Sequence, residues 1–278
     1  MDSGLYIVAT PIGNLGDITG RAVEVLSGAD LIAAEDTRHS RRLLQHLGIE
    51  GRLVAYHEHS DAGAQARLLE TLSGGGSVAL VSDAGTPLIS DPGYPLIRAA
   101  QEQGVAVIPV PGACAAIAAL SAGGLATDRF LFEGFLPARA VAREKRLQEL
   151  AAQPHTLVFY EAPHRVLETV VAMAEVFGED REAVLARELT KAFETIHRAP
   201  LGALQSWIAA DPNQQRGEIV LLVAGASQRE AELDESTASL LRRLAQELPA
   251  KRAAAVVADW SGLRKKALYE FLVAEKER

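Results

Sequence analysis

Leu5-Tyr6-Ile7-Val8-Ala9 runs directly into Thr10-Pro11-Ile12-Gly13-Asn14-Leu15-Gly16. The first five residues are apolar throughout, as expected of a strand buried on both faces. The rest read as a Pro/Gly loop, and helical spacing takes over in Ile18–Ser27. The same order of strand, loop and helix then repeats. Leu31–Ala34, Leu53–Tyr56, Val78–Val81 and Val105–Val110 read as buried strands, and Ser40–Leu47, Ala62–Leu72 and Tyr94–Gln103 as the helices between them. Strands alternating with helices imply βαβ units and a mainly parallel sheet, with right-handed crossovers placing helices on both faces. Ala113–Leu120, a helix of small residues, closes this part, and Gly123-Gly124 supplies a hinge.

Beyond the hinge the pattern is less regular. Phe130–Phe135, Thr156–Tyr160, Ala183–Glu188 and Glu218–Ala224 read as strands, and Ala142–Ala152, Arg165–Phe177 and Leu201–Ala209 as helices. Lys191–His197 is expected to be a strand after a tight turn. Gly225–Glu235, rich in Ser, Gln and acids, reads as a linker. Ser236–Glu247, Ala250–Asp259 and Leu263–Glu275 follow as short helices broken by Leu248-Pro249 and Ser261-Gly262, an arrangement like helix-turn-helix. The expected fold is α/β: a parallel-sheet domain over 1–123, a mixed-sheet domain over 124–226 and a helical tail over 236–278.

The chain of 278 residues carries 28 Lys+Arg against 36 Asp+Glu, a formal charge of −8. That acidity argues against a protein that coats nucleic acid non-specifically. The average conceals an asymmetry, because Ser236–Arg278 is +4 and the remainder −12. The tail is therefore either an appended binding module or a solvated helical face. Cys114 is the single cysteine, which excludes an intramolecular disulfide and any zinc site built on several cysteines. No apolar stretch reaches the ~18–20 residues of a membrane span. Met1–Gly4 lacks a basic secretory leader, so a cytoplasmic location is expected.

Three strand-end loops carry the chemistry, because ligands of open α/β sheets bind beyond the strands' carboxyl ends. The first is the Pro/Gly loop after Ala9, with Pro11 and Gly13. It has neither G-x-G-x-x-G nor a Walker lysine, so neither dinucleotide nor P-loop binding is supported. The second is Val81–Gly93, which holds Ser82, Asp83, Ala84, Gly85 and Thr86. Two Pro, two Gly and two Asp in thirteen residues are costly to order for a mere connector. The third is Val110–Ala116, where Ala113, Cys114 and Ala115 open a helix and let a ligand approach closely.

These loops resemble those of the tetrapyrrole methylase superfamily, whose members take their methyl group from S-adenosylmethionine. Glu35-Asp36-Thr37-Arg38, Phe159-Tyr160-Glu161-Ala162-Pro163-His164-Arg165 and Arg187-Glu188-Leu189-Thr190-Lys191 add to the likeness. With Thr10–Leu15 and Ser82–Pro87, these phrases are similar to those of the ribosomal small-subunit cytidine 2′-O-methyltransferases. The resemblance spans almost the whole chain. It implies a cofactor cleft between two α/β domains, lined by the residues of the three loops and by Tyr160. It also implies a homodimer, no membrane, and a 16S rRNA cytidine near the decoding site as substrate. One departure is that Cys114 and Ala115 stand where many superfamily members have hydroxyls, so backbone groups must hold the cofactor there.

A ribose hydroxyl reacts once a base takes its proton. Glu161, Glu188 and Lys191 are the candidates, although Glu188 and Glu194 beside Lys191 favour its ammonium form. Arg165 and Lys191 read first as phosphate contacts, and the whole set alternatively as a surface salt-bridge network. His57-Glu58-His59 places two imidazoles on one strand face, but spacing fixes no third ligand, so no metal is expected. His57 and His59 then border a substrate groove. Glu35-Asp36-Thr37-Arg38, ending the second strand, is either a groove contact or a helix N-cap. Arg264, Lys265 and Lys266 open the last helix and suit RNA phosphates. A methyltransferase acting on a small tetrapyrrole and a non-catalytic ribosome-binding factor are the competing readings.

Overall fold

The computed structural model describes residues 1–57, 62–226 and 233–276. In chain order the elements are β1 (Gly4–Val8), α1 (Gly20–Gly28), β2 (Leu31–Ala34), α2 (Thr37–Leu47), β3 (Leu53–Ala55), α3 (Ala62–Ser73), β4 (Ser77–Val81), α4 (Tyr94–Glu102), β5 (Val107–Val110) and α5 (Ala115–Gly123). Then come β6 (Phe130–Phe135), α6 (Ala140–Leu150), β7 (Thr156–Glu161), α7 (Val166–Phe177), β8 (Glu182–Arg187), β9 (Thr195–Pro200), α8 (Leu201–Ala210) and β10 (Ile219–Val223). Last are α9 (Glu235–Glu247), α10 (Ala250–Ser261) and α11 (Lys265–Lys276).

The first sheet has the order β3-β2-β4-β1-β5 and is parallel throughout. Its central strands β2 and β4 are buried at every position, which is why they read as unbroken apolar runs. Apolar residues pack on both faces. Leu5, Leu68, Leu80 and Leu96 lie on one side, and Val8, Leu26, Ile32 and Val81 on the other. The second sheet has the order β6-β7-β10-β8-β9, with β6 and β7 parallel and the other pairs antiparallel. Phe159, Met173, Leu185 and Leu201 form its main core against α6, α7 and α8. Both sheets belong to one compact unit, Met1–Gly225.

The tail, 226–278, is a separate compact unit. Leu241 of α9, Ala253, Ala254 and Val257 of α10, and Leu268 and Leu272 of α11 make its core. Arg242 lies over the Phe271 ring and pairs with both Glu235 and Glu275. Among the described residues, no helix is long and apolar enough to cross a membrane.

Three local expectations change. Lys191–Glu194 is turn, and the strand runs over Thr195–Pro200 instead of starting at Lys191. Glu188 and Thr190 adopt left-handed φ of 52° and 68°, and Lys191 N–H and Glu194 N–H donate back to the carbonyls three residues earlier. The last helix begins at Lys265, with Arg264 just before it. Helix α2 starts three residues early because the Asp36 carboxylate accepts from Arg38 N–H and caps it.

Phe159 is fully buried in the largest core. Phe159→Ala should cost about 3–5 kcal/mol, seen as a lower urea midpoint.

Candidate functional site

The carboxyl ends of β1, β2, β4 and β5 all reach one edge of the parallel sheet, where the ends of β7 and β10 face them. A cleft of 450 Å³ opens there, within the ~300–1,000 Å³ usual for small-molecule and cofactor sites. Its framework is a set of loop-to-loop bonds. Thr10 and Gly85 exchange backbone hydrogen bonds of 2.9 and 3.1 Å. Gly85 has a φ of 84°, a conformation that favours glycine. Thr86 Oγ1 donates to Ala113 O (3.0 Å), tying the β4 loop to the β5 loop. Ala116 N–H donates to the Tyr160 hydroxyl (3.3 Å), tying α5 to β7. Asn14 N–H donates to Thr190 Oγ1 (3.1 Å). A Cβ on Gly13 would overlap the Lys191 stem, so the β1 loop lies flat on the β8–β9 turn.

Several sequence-assigned residues line the cleft: Asp83, Ala84, Gly85, Thr86, Ala115, Tyr160 and Glu161. Others support it from behind. Pro11 and Ser82 line a small adjoining recess together with Asp83. Ala113 and Cys114 pack against the α5 core. His57 is exposed at the end of β3, and His59 lies outside the described residues. Arg264, Lys265 and Lys266 are exposed in the tail unit, where Lys266 stands 3.7 Å from Glu270.

The charged set assigned to proton transfer is held in ion pairs. Glu161 is 3% exposed and accepts from Thr169 Oγ1 (2.6 Å), Ala162 N–H (2.8 Å) and Arg165. Arg165 spends the same Nη2 on Leu136 O (2.9 Å), so it braces β7 rather than reaching outward for phosphate. Lys191 donates to Glu188 (2.8 Å) and Glu218 (3.1 Å). Burial alone would lower the Lys191 pKa, but these two carboxylates outweigh it and hold the ammonium form. Its second partner is Glu218 rather than Glu194, which caps Thr190 N–H instead.

The cleft brings together with Asp83 two further carboxylates: Glu35 after β2, from the phrase read as a groove contact or a cap, and Asp91 in the β4–α4 loop, which the sequence reading does not assign to the site. Burial, then the charge of Asp83, pushes the Glu35 carboxyl up. Burial is also the main cause at Asp91, where Glu35 and Asp83 add to it against a hydrogen bond from Ser82. The pKa there is pushed up to about 6. Tyr160 is raised mainly by burial. Phe135 and Ile89 add apolar wall. Asp91 sits in the quoted loop and was legible as a carboxylate there; nothing in the spacing shows its convergence with Glu35. The left-handed non-glycine residues among the described ones are Leu88, Ser90, Glu188 and Thr190. All stand on the two loops flanking the cleft, and such strain concentrates at functional sites.

Residues 4–205 match the family described as Tetrapyrrole (Corrin/Porphyrin) Methylases, and residues 231–276 match the RsmI C-terminal HTH domain. A Pseudomonas aeruginosa protein named ribosomal RNA small subunit methyltransferase I is 57% identical over 96% of this chain and 95% of its own length. The protein of the same name from Escherichia coli O157:H7 is 53% identical over 98% and 95%.

The chain belongs to the ribosomal RNA small subunit methyltransferase I branch of the tetrapyrrole methylases.

It is a methyltransferase, and S-adenosylmethionine is its methyl donor. The Thermus thermophilus uroporphyrin-III C-methyltransferase, solved in complex with S-adenosylhomocysteine, shares the fold. It has a TM-score of 0.55 and 18% identity, over 80% of this chain and 97% of that one. The lining of the cleft suits such a donor. Among the described residues it holds five carboxylates and no Lys, Arg or His. Arg165 and Lys191 answer Glu161 and Glu218 from outside, which leaves Glu35, Asp83 and Asp91 facing the cavity without a salt bridge among the described residues. A cationic sulfonium fits that field, whereas a phosphate does not.

The raised pKa of Asp91 has a consequence for stability. The folded chain binds this proton more tightly than the unfolded chain, whose carboxyl titrates near 3.8. The contribution is full below that value and is lost as pH rises through about 6. Asp91→Asn should therefore raise the melting temperature at pH 7.5 and leave it nearly unchanged at pH 4, as measured by calorimetry.

Proposed function

We propose that this chain methylates the 2′-hydroxyl of a cytidine in small-subunit ribosomal RNA, near the decoding site of the 16S molecule. The observation that carries this reading is an acidic cofactor cleft in a chain whose relatives of 53–57% identity are named for that RNA. The donor brings a methyl group already activated on a positive sulfur.

The protein's task is to hold and orient. Glu35, Asp83 and Asp91 supply the negative field, and the backbone of the Ser82–Thr86 and Ala113–Ala115 loops supplies close contact. Pro11 and Gly13 fix the first loop. Tyr160, with Phe132 and Phe135 edge-on to its ring at 5.1 and 5.8 Å, forms an apolar wall against which a flat base can lie. Asp91 takes the hydroxyl proton: it lines the cleft and no salt bridge ties it down. Glu161, Glu188 and Lys191 act as positioning residues that fix β7 and the β8–β9 turn. Arg38 and His57 border the entry for RNA, and Arg264, Lys265 and Lys266 give the tail its phosphate contacts. The segments 1–123 and 124–226 share the cleft, while 236–278 adds RNA affinity. Ile117, Phe130, Phe193 and Ile196 leave apolar side chains in solvent on the α/β body, and we assign them to a homodimer formed through that body in the cytoplasm. A monomer mass by light scattering at micromolar concentration rejects that assignment.

The test is a transfer assay with labelled donor, unmodified small subunits, free rRNA and a small tetrapyrrole. Label should enter rRNA at one cytidine and protect the adjacent bond from alkali. Label on the tetrapyrrole, or on a base, overturns the reading. Asp91→Asn should lower turnover at least ~100-fold with donor affinity within a few-fold. A chain ending at Gly225 should keep donor binding and lose methylation of particles.

The cleft charges also predict a pH effect. Donor affinity should weaken as pH falls from 7.5 to 5.5, because protonation of Asp91 removes part of the attraction. Titration calorimetry at the two values checks it.

A further inference from the structure

The α/β body is acidic, yet helix α2 reads Thr-Arg-His-Ser-Arg-Arg-Leu-Leu-Gln-His-Leu and contains three Arg, two His and no acid. Arg38, Arg41, Arg42 and Gln45 follow each other at helical spacing, so they form one stripe. All four are exposed, as are His39 and His46, while Ser40 and Leu44 are buried on the other side. Arg38 is spent locally, bonded to Asp36 at 2.7 Å. Arg41 and Arg42 have no ion-pair partner among the described residues.

Nothing in the helix itself gains from this arrangement. Arg42 has Arg38 four residues before it, and like charges at that spacing weaken a helix. Cations in the first turns also oppose the helix dipole. The stripe stands beside the cleft. Asp36 N–H donates to Asp83 Oδ1 (3.0 Å), and His39, Ser40 and Leu43 line the recess that shares Asp83 with the cleft. An acidic cavity repels phosphate, so a strand of RNA that puts one nucleotide into it needs its backbone held outside, close by.

We propose that the exposed face of α2, through Arg41 and Arg42, is a docking ridge for the RNA sugar-phosphate backbone flanking the target nucleotide. This rests on the RNA-methylating function above. Arg is suited to the task because its guanidinium pairs phosphate oxygens bidentately.

The test uses the full-length chain with unmodified small subunits and with protein-free rRNA. The Arg41→Glu/Arg42→Glu variant should raise KM for either RNA substrate about ten-fold or more. It should leave kcat within two-fold and donor affinity unchanged. The slope of log affinity against log salt should fall by about one per lost phosphate contact. Arg41→Lys/Arg42→Lys should recover most of the affinity. Both pairs of side chains are exposed, and thermal melts check that the variants fold; should the Glu variant not fold, Arg41→Gln/Arg42→Gln carries the same test. Unchanged KM and salt slope overturn the ridge. A defect seen with particles but not with protein-free rRNA also overturns it, because the contact is then to a ribosomal protein. Failure of the wild-type chain to label rRNA overturns the parent reading; labelling by wild type with unaltered variants overturns the ridge alone.

Discussion

The cleft depends on a helix made of small side chains. Helix α5, Ala-Ala-Ile-Ala-Ala-Leu-Ser-Ala-Gly, ends the parallel sheet's sequence and lies against the mixed sheet. Ala116 and Ala119 are buried on Val158, Val184, Val220 and Leu222, and a Cβ on Gly123 would meet Leu222 at 2.6 Å. Such close approach leaves no room for larger residues. It fixes how closely α5, which follows β5 directly, lies on the mixed sheet. Ile12 of the first loop joins the same cluster, so this packing also seats the β1 loop. Tyr160 locks the arrangement by receiving the Ala116 N–H at the start of the helix.

What was legible in the sequence follows from where local chemistry dominates. The buried strand Leu31–Ala34 announces itself as an unbroken apolar run, and its bounds match the structure; the edge strands β3 and β5 are shorter than their apolar runs and only partly buried. The strand after the β8–β9 turn starts later than the sequence suggests because Glu188 and Thr190 take left-handed conformations without a glycine to signal a longer turn, and Asn14 bonds Thr190 across the chain. The strand-end loops were legible as ligand loops because of their Pro, Gly and Asp content. The grouping of Glu35, Asp83 and Asp91 was not, since it arises only when β2 and β4 become neighbours in the sheet. Likewise Glu218, 27 residues from Lys191, reaches that ammonium only through the β8–β10 pairing.

Charge is sorted by location rather than averaged. The cavity is acidic, α2 at its rim is basic, and the tail carries a net positive charge on a negative body. A uniform distribution of the same residues would give neither a field for a cation inside nor one for polyanions outside. The ion pairs Glu161–Arg165 and Lys191–Glu218 matter here as well, because they remove two of the five cavity charges and concentrate the remainder on the β2 and β4 side.

That remainder gives the cavity a sense of direction in the catalytic cycle. A ligand that enters with a positive sulfur and leaves with a neutral one is attracted on arrival and loses part of that attraction once its methyl group is gone. Burial raises the proton affinities of Glu35 and Asp91, and a nearby cation offsets part of that penalty. Glu35, Asp83 and Asp91 thus give the cavity a field that discriminates a positive sulfur from a neutral one.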